Sequence, residues 1–162
     1  MTEKDYFVGM MEREHKVLMK LLKEFPAAKA DYTPAEKTRS AKDLAWTFAA
    51  EQMVYSSAAK TGKIEFDKMP KAPATWAEVL SALEKNQPKA IEDVKSMTEE
   101  EWNSMMDFFV GPGQMGKLRR ADVLWIMMYD MIHHRGQFSI YNRLVGAKVP
   151  SIYGPSADEP WM

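Results

Sequence analysis

The sequence predicts an all-α protein, a four-helix bundle with a long crossover connection. Three observations point there. Four long segments repeat apolar residues at a helical period, cap residues bracket them, and there is no cysteine to staple a smaller fold. At 162 residues the chain fits one domain over positions 1–162, so the four segments are expected to share one core.

The first helix runs roughly from Glu3 to Phe25, opened by a Thr2/Asp5 capping pair and stopped by Pro26, with Val8, Met11, His15, Leu18 and Leu22 as its stripe. The second runs from about Ala41 to Thr61. Ser40 is its N-cap, Gly62 follows its end, and Leu44, Thr47, Glu51, Val54 and Ala58 form its stripe. The third starts at the Thr75-Trp76-Ala77-Glu78 capping box and reaches Met97, with Pro88 expected to kink it. Trp76, Val79, Leu80, Leu83, Ala90, Val94 and Met97 share one of its faces. The fourth starts near Arg119 and ends at Gly146, along Val123, Met127, Asp130, His134, Gln137, Tyr141 and Val145.

The connections differ in length. Residues 26–39 and 63–74 are polar and carry proline, and a dozen residues in the second allow a topology other than up-down-up-down. The third holds a short helix capped by Thr98 and Glu101, then Met105 to Val110 as a strand or extended clip, broken by Gly111-Pro112-Gly113. A proline-bearing tail follows Gly146.

Composition excludes several functions. At 46% hydrophobic and 28% charged, the chain is expected to fold rather than remain disordered. Its 22 basic and 23 acidic side chains give a net charge of −1, which leaves no electrostatic footprint for a nucleic-acid partner. No apolar run is long enough to cross a bilayer and the start is charged, so no membrane role is expected and the cytoplasm is the default location. The 14 Met and 5 Trp read as core filling; copper or haem ligation would need His or Cys clustered with them.

Function is sought in the polar residues on apolar stripes. Asp130 and His134 stand one turn apart on one face of the fourth helix, which should point inward. Burying both costs several kcal/mol each unless they are paired or bound to metal. The second helix offers Thr47 and Glu51, the first offers His15. At ~1.5 Å per residue, His15 lies ~15 Å before the end of its helix, and Thr47 and Glu51 ~10 to 17 Å after the start of theirs. If the first two helices are antiparallel neighbours, these side chains share a layer. His133 is expected at the surface, Gly136 admits another backbone, Arg135 suits docking of the tail or a partner chain, and Tyr141 reads as core.

The run His134-Arg135-Gly136-Gln137, then Tyr141-Asn142-Arg143 and Val149-Pro150-Ser151-Ile152-Tyr153-Gly154-Pro155, resembles the C-terminal signature of the DinB family. Ser40-Ala41-Lys42-Asp43-Leu44-Ala45-Trp46-Thr47-Phe48 is similar to that family's second helix. The resemblance implies a four-helix bundle, commonly dimeric, in a family that includes thiol S-transferases and a mycothiol-dependent isomerase. It also implies a three-histidine metal site at positions here occupied by Thr47, Asp130 and His134, of which only His134 keeps its identity.

Three arrangements are open. In the first, Glu51 substitutes from one turn further along, giving a divalent metal ion held by Glu51, Asp130 and His134. His15 joins Asp130 and His134 in the second. In the third, a metal-free cluster links His134 to Asp130 and Glu51. The function this resemblance implies is that of a metal-dependent enzyme working on a small-molecule substrate by thiol S-transfer or hydrolysis, as a homodimer. The alternative is a non-catalytic dimeric bundle whose Glu/Asp/His cluster is structural.

Overall fold

A computed structural model describes residues 1–162. Helix α1 spans Glu3–Lys23, α2 Ala41–Thr61, α3 Trp76–Ser96 and α5 Arg120–Leu144, with the short α4 at Glu99–Asn103. Strands β1, Met105–Gly111, and β2, Gln114–Arg119, precede α5. The chain is therefore mostly helical rather than all-α. Met105 to Val110 is a strand as one of two expectations had it, but its antiparallel partner, residues 114–119, was not anticipated. Pro112 and left-handed Gly113 (φ 68°) make the tight turn between them.

The helix ends follow local chemistry. Thr2 accepts from the Asp5 N–H while the Asp5 carboxylate accepts from the Thr2 N–H, and Thr75/Glu78 and Thr98/Glu101 repeat this box. Ser40 caps α2, and Gly62 ends it in the left-handed region at φ 62°. At the end of α5, Gly146 (φ 76°) donates to the Arg143 carbonyl and Ala147 to that of Asn142, a Schellman motif. Pro88 lies inside α3 without interrupting it.

Ion pairs and hydrogen bonds fix the helix order. Lys95 meets Glu12 and Lys23 meets Glu84, so α1 and α3 run antiparallel. Glu3 accepts from Trp125, and Arg135 pairs with Glu14, so α1 and α5 run parallel. Lys42 reaches the Ala74 carbonyl and Lys60 reaches Asp93, so α2 and α3 are parallel too. Helices α2 and α5 are antiparallel, since Arg120 donates to the Ala59 carbonyl and Tyr141 to that of Arg39.

The bundle is thus up-down-down-up, and α1 and α2 face each other across its diagonal rather than as neighbours. The shared layer expected of His15, Thr47 and Glu51 fails on this point. The parallel α2–α3 pair needs a crossover along the bundle's full length, not across its end. Residues 63–75 supply it: at ~3.3 Å each they reach ~43 Å against ~31 Å of helix. Bonds from Ser57 to the Lys63 carbonyl and from the Trp46 indole to that of Pro70 strap this segment to α2.

One apolar cluster joins all four long helices to Trp102, Met106 and Phe108. Seven of the fourteen methionines are buried in it, which fits gap filling. Glu14, Gln87, Arg135 and Asn142 are buried as well. Arg135 pairs with Glu14 and donates to the Tyr153 hydroxyl, which in turn donates to Glu14 at 2.7 Å. The tail is docked on α1 and α5 by this triangle, as expected of Arg135. Asn142 adds bonds to the carbonyls of Leu21 and Lys148.

Removing one partner of a buried ion pair strands the other charge, at a cost of about 3–5 kcal/mol. Arg135→Met should lose that much stability in urea unfolding, and the Glu14→Gln/Arg135→Met double variant markedly less. A double-variant loss equal to the sum of the two single-variant losses would show that the charges are not coupled.

Candidate metal centre

Because α2 and α5 are antiparallel neighbours, the middle of one faces the middle of the other. Glu51, on the α2 stripe, is almost fully buried there (side chain 3% exposed). His134 meets it from α5 at 16% exposure, and Asp130, one turn earlier, lies at the solvent edge with 45%. Asp130 is therefore less inward than its stripe suggested. One ligand-capable atom from each of the three lies within 4.8 Å of the others. His134 Nδ1 stands 3.6 Å from Glu51 Oε1 and 3.4 Å from Asp130 Oδ2.

Neither contact has hydrogen-bond geometry. Both Glu51 oxygens and His134 Nδ1 are buried without a hydrogen-bond partner. The spacing fits a shared cation: two donors each ~2.1 Å from a tetrahedral ion stand ~3.4 Å apart. Two carboxylates and one imidazole are a hard donor set.

Electrostatics reflect the burial. Desolvation pushes the Glu51 carboxyl up to about 7, against the pull of His134. His134 is raised above the ordinary imidazole value, chiefly by the Glu51 carboxylate, with burial opposing and Asp130 adding to the rise. One turn beyond Glu51, the Tyr55 hydroxyl is buried without a partner, and desolvation with the Glu51 and Asp130 charges drives it far above a normal phenol.

The other candidates lie elsewhere. His15 sits on α1, half-buried, its pKa lowered by desolvation, and does not join the cluster. Thr47 is one turn short of Glu51; it accepts from Arg39 Nη1 at 2.7 Å and donates to the Asp43 carbonyl. Gln137 is exposed rather than part of the buried stripe, and it bonds the exposed His133. No atom lies within 4 Å of a Cβ built on Gly136, so it brings no backbone of this chain close to α5.

A cleft of about 480 Å³ opens beside the cluster. Lys37 and Arg39 of the first connection, Leu44 of α2, and His134, Ile140 and Tyr141 of α5 wall it. The buried Tyr141 hydroxyl donates to the Arg39 carbonyl at 2.8 Å, clamping the connection over the cleft. Sequence reasoning missed Arg39 and Lys37, because nothing in a polar, proline-bearing segment marks which cation folds back. It also missed the burial of Glu14, whose signal was present: Phe7, Met11, Glu14, Leu18 and Leu21 are a helical stripe shifted by one residue from the one chosen.

The model of the DinB family matches residues 1–161. The chain belongs to the DinB family. A comparison with curated proteins found no match. Among solved structures, a DinB-like protein from Bacillus subtilis superposes with a TM-score of 0.73 at 20% identity, covering 88% of this chain and 94% of that one. A DinB-like protein from Bacillus cereus gives 0.73 at 21%, covering 91% and 95%. YfiT from Bacillus subtilis, described as a probable metal-dependent hydrolase with an unusual four-helix bundle topology, gives 0.65 at 10%, covering 90% and 89%. At these identities the likeness carries the DinB bundle. No helix of this DinB chain is long and apolar enough to cross a membrane.

The raised Glu51 value has a consequence for stability without metal. The unfolded carboxyl ionises near its ordinary 4.5, the folded one near 7, so folding is favoured most below the lower value and loses that contribution as pH rises through the higher. His134, also raised, acts in the same direction. In chelator, Glu51→Gln should be more stable than wild type at pH 8 by roughly 3 kcal/mol, the gap closing toward pH 5. Denaturant titrations at both pH values check this, and a gap that widens on acidification would contradict it.

Proposed function

We propose that this chain is a divalent-metal-dependent enzyme acting on a small molecule, with Glu51, Asp130 and His134 as its metal ligands. The observation that carries this reading is Glu51: a carboxylate buried with both oxygens unpartnered, beside an imidazole that borders an open cleft. Such a group costs several kcal/mol unless something neutralises it. A cation would satisfy Glu51 and His134 Nδ1 together. Hydrolysis is the favoured reaction class, with thiol transfer second, because YfiT, which shares the fold, is described as a probable metal-dependent hydrolase.

When bound, the ion supplies Lewis acidity and lowers the pKa of a water or substrate thiol. The chain's own residues do the rest. Glu51 and His134 would hold the ion between α2 and α5, with Asp130 reaching it from the solvent edge. Tyr141 holds the connection that walls the cleft; its proton is engaged with the Arg39 carbonyl, so it serves as a clamp rather than an acid. The hard donors suit Mn²⁺, Fe²⁺ or Mg²⁺, whereas the tetrahedral spacing suits Zn²⁺, so the site is assigned a divalent ion without choosing among these.

Untagged protein purified without chelator should carry stoichiometric divalent metal by elemental analysis. His134→Ala and Glu51→Gln should each abolish it, and full occupancy in either variant would remove that residue from the ligand set.

One observation favours the alternative, a structural metal-free cluster. With Glu51 near 7 and His134 raised, a proton can serve where a cation would. Absence of metal under every loading condition would select that reading.

Both readings include a homodimer, which the outer face of α5 supports. Ile126, Tyr129 and Leu144 are exposed there in a helical stripe that also holds Gly136. Sedimentation should report a dimer for wild type and a monomer for the Tyr129→Lys/Leu144→Lys variant; a monomeric wild type would refute it.

A further inference from the structure

The cleft beside the cluster is asymmetric in charge. Lys37 and Arg39 are the lysine and arginine in its wall, and no carboxylate joins them. Of the other five arginines, Arg119 meets Glu3 and Asp122, Arg135 meets Glu14 and Arg143 meets Asp158, while Arg13 lies over the Tyr153 ring and Arg120 donates to the Ala59 carbonyl. Neither Lys37 nor Arg39 has an acidic partner within ion-pair distance, although the molecule as a whole is balanced.

Arg39 is also positioned. Nη1 donates to the Thr47 hydroxyl at 2.7 Å, and its backbone carbonyl accepts from Tyr141 at 2.8 Å. The Thr47 hydroxyl passes its own proton to the Asp43 carbonyl at 3.3 Å. A neutral acceptor of this kind orients a guanidinium without cancelling its charge. Four of the five guanidinium N–H donors carry no bond within the chain. A held, uncompensated guanidinium suits two-pronged recognition of a carboxylate or phosphate, and an ammonium alongside adds charge without adding shape. Leu44 and Ile140 give the same cleft an apolar side, and about 480 Å³ is the size of a small-molecule site.

We propose that the cleft recognises a small oxyanion-bearing molecule, its carboxylate or phosphate held by Arg39 and Lys37, its apolar body on Leu44 and Ile140, and its reactive end at His134. This deepens the enzymatic reading by naming a substrate class, and it rests on that reading for the identity of the reactive end.

The experiment separates the two. Chelator-treated wild-type protein is titrated by calorimetry with benzoate, phenyl phosphate and neutral benzamide, so that the anion site is read without metal. At least one of the two anions should bind, with benzamide at least tenfold weaker, and added salt should weaken the anion alone. Whichever anion binds more tightly identifies the carboxylate or phosphate preference. Arg39→Gln should weaken the anion tenfold or more while keeping the wild-type metal content. Lys37→Gln, which removes a side chain that makes no hydrogen bond or ion pair within the chain, should weaken it severalfold in a protein of unchanged stability. Equal binding of benzamide, no binding of either anion, or wild-type anion affinity in both variants would overturn the proposal. A protein that takes no metal but binds the anion through Arg39 would instead leave this site standing and remove the metal-dependent chemistry.

Discussion

Antiparallel packing of α2 against α5 is the constraint on which the site depends. It brings Glu51 opposite His134 at the middle of both helices, and it follows from the order of the bundle rather than from the two residues. The full-length crossover makes α2 parallel to α3, and the parallel α1–α5 pair then closes the ring. Two consequences arise together. The Glu51 carboxylate is taken out of water, and the first connection folds back over the second half of α5, where Tyr141 holds it. A buried acid and a lined cleft are therefore products of one packing decision.

The cluster works against its own stability. A carboxyl displaced to about 7 is one that the fold holds in an unfavourable environment, and well-packed apolar side chains of similar size would serve the core better. Structural ion pairs in this chain look different: Glu14 and Arg135 are in direct contact, with Tyr153 completing the arrangement. Glu51 and His134 stand 3.6 Å apart and leave their atoms unpartnered. The contrast between these two buried acids of one molecule is the physical basis for treating one as structure and the other as chemistry.

Much of this was legible in the sequence, for reasons that differ by residue. Caps are local, so Thr2, Ser40, Gly62, Thr75 and Gly146 could be read from neighbours alone. Glu51, Asp130 and His134 could be grouped because helical period places them on apolar stripes, although Asp130 proved to sit at an edge. Strand β2 was hidden because Gln114 to Arg119 lacks apolar alternation; its pairing comes from β1 and the Pro112-Gly113 turn. Helix adjacency was not readable at all. It is set by how a crossover runs, and His15 does not join Glu51 because depth along a helix says nothing about which helices touch. The cations of the cleft belong to the same class, since Arg39 gains its meaning from a hydroxyl on the neighbouring helix.

The Glu14–Arg135–Tyr153 triangle joins residues from the beginning, the last helix and the tail. Chain segments 121 and 139 positions apart must meet before Glu14 Oε2 finds its two donors. During synthesis, then, the first helix emerges with a group that cannot be buried cheaply until nearly everything else has left the ribosome. Partial chains are held away from a finished interior, and closure of the bundle is expected to be a late, all-or-none event rather than a progressive zippering from the N-terminus.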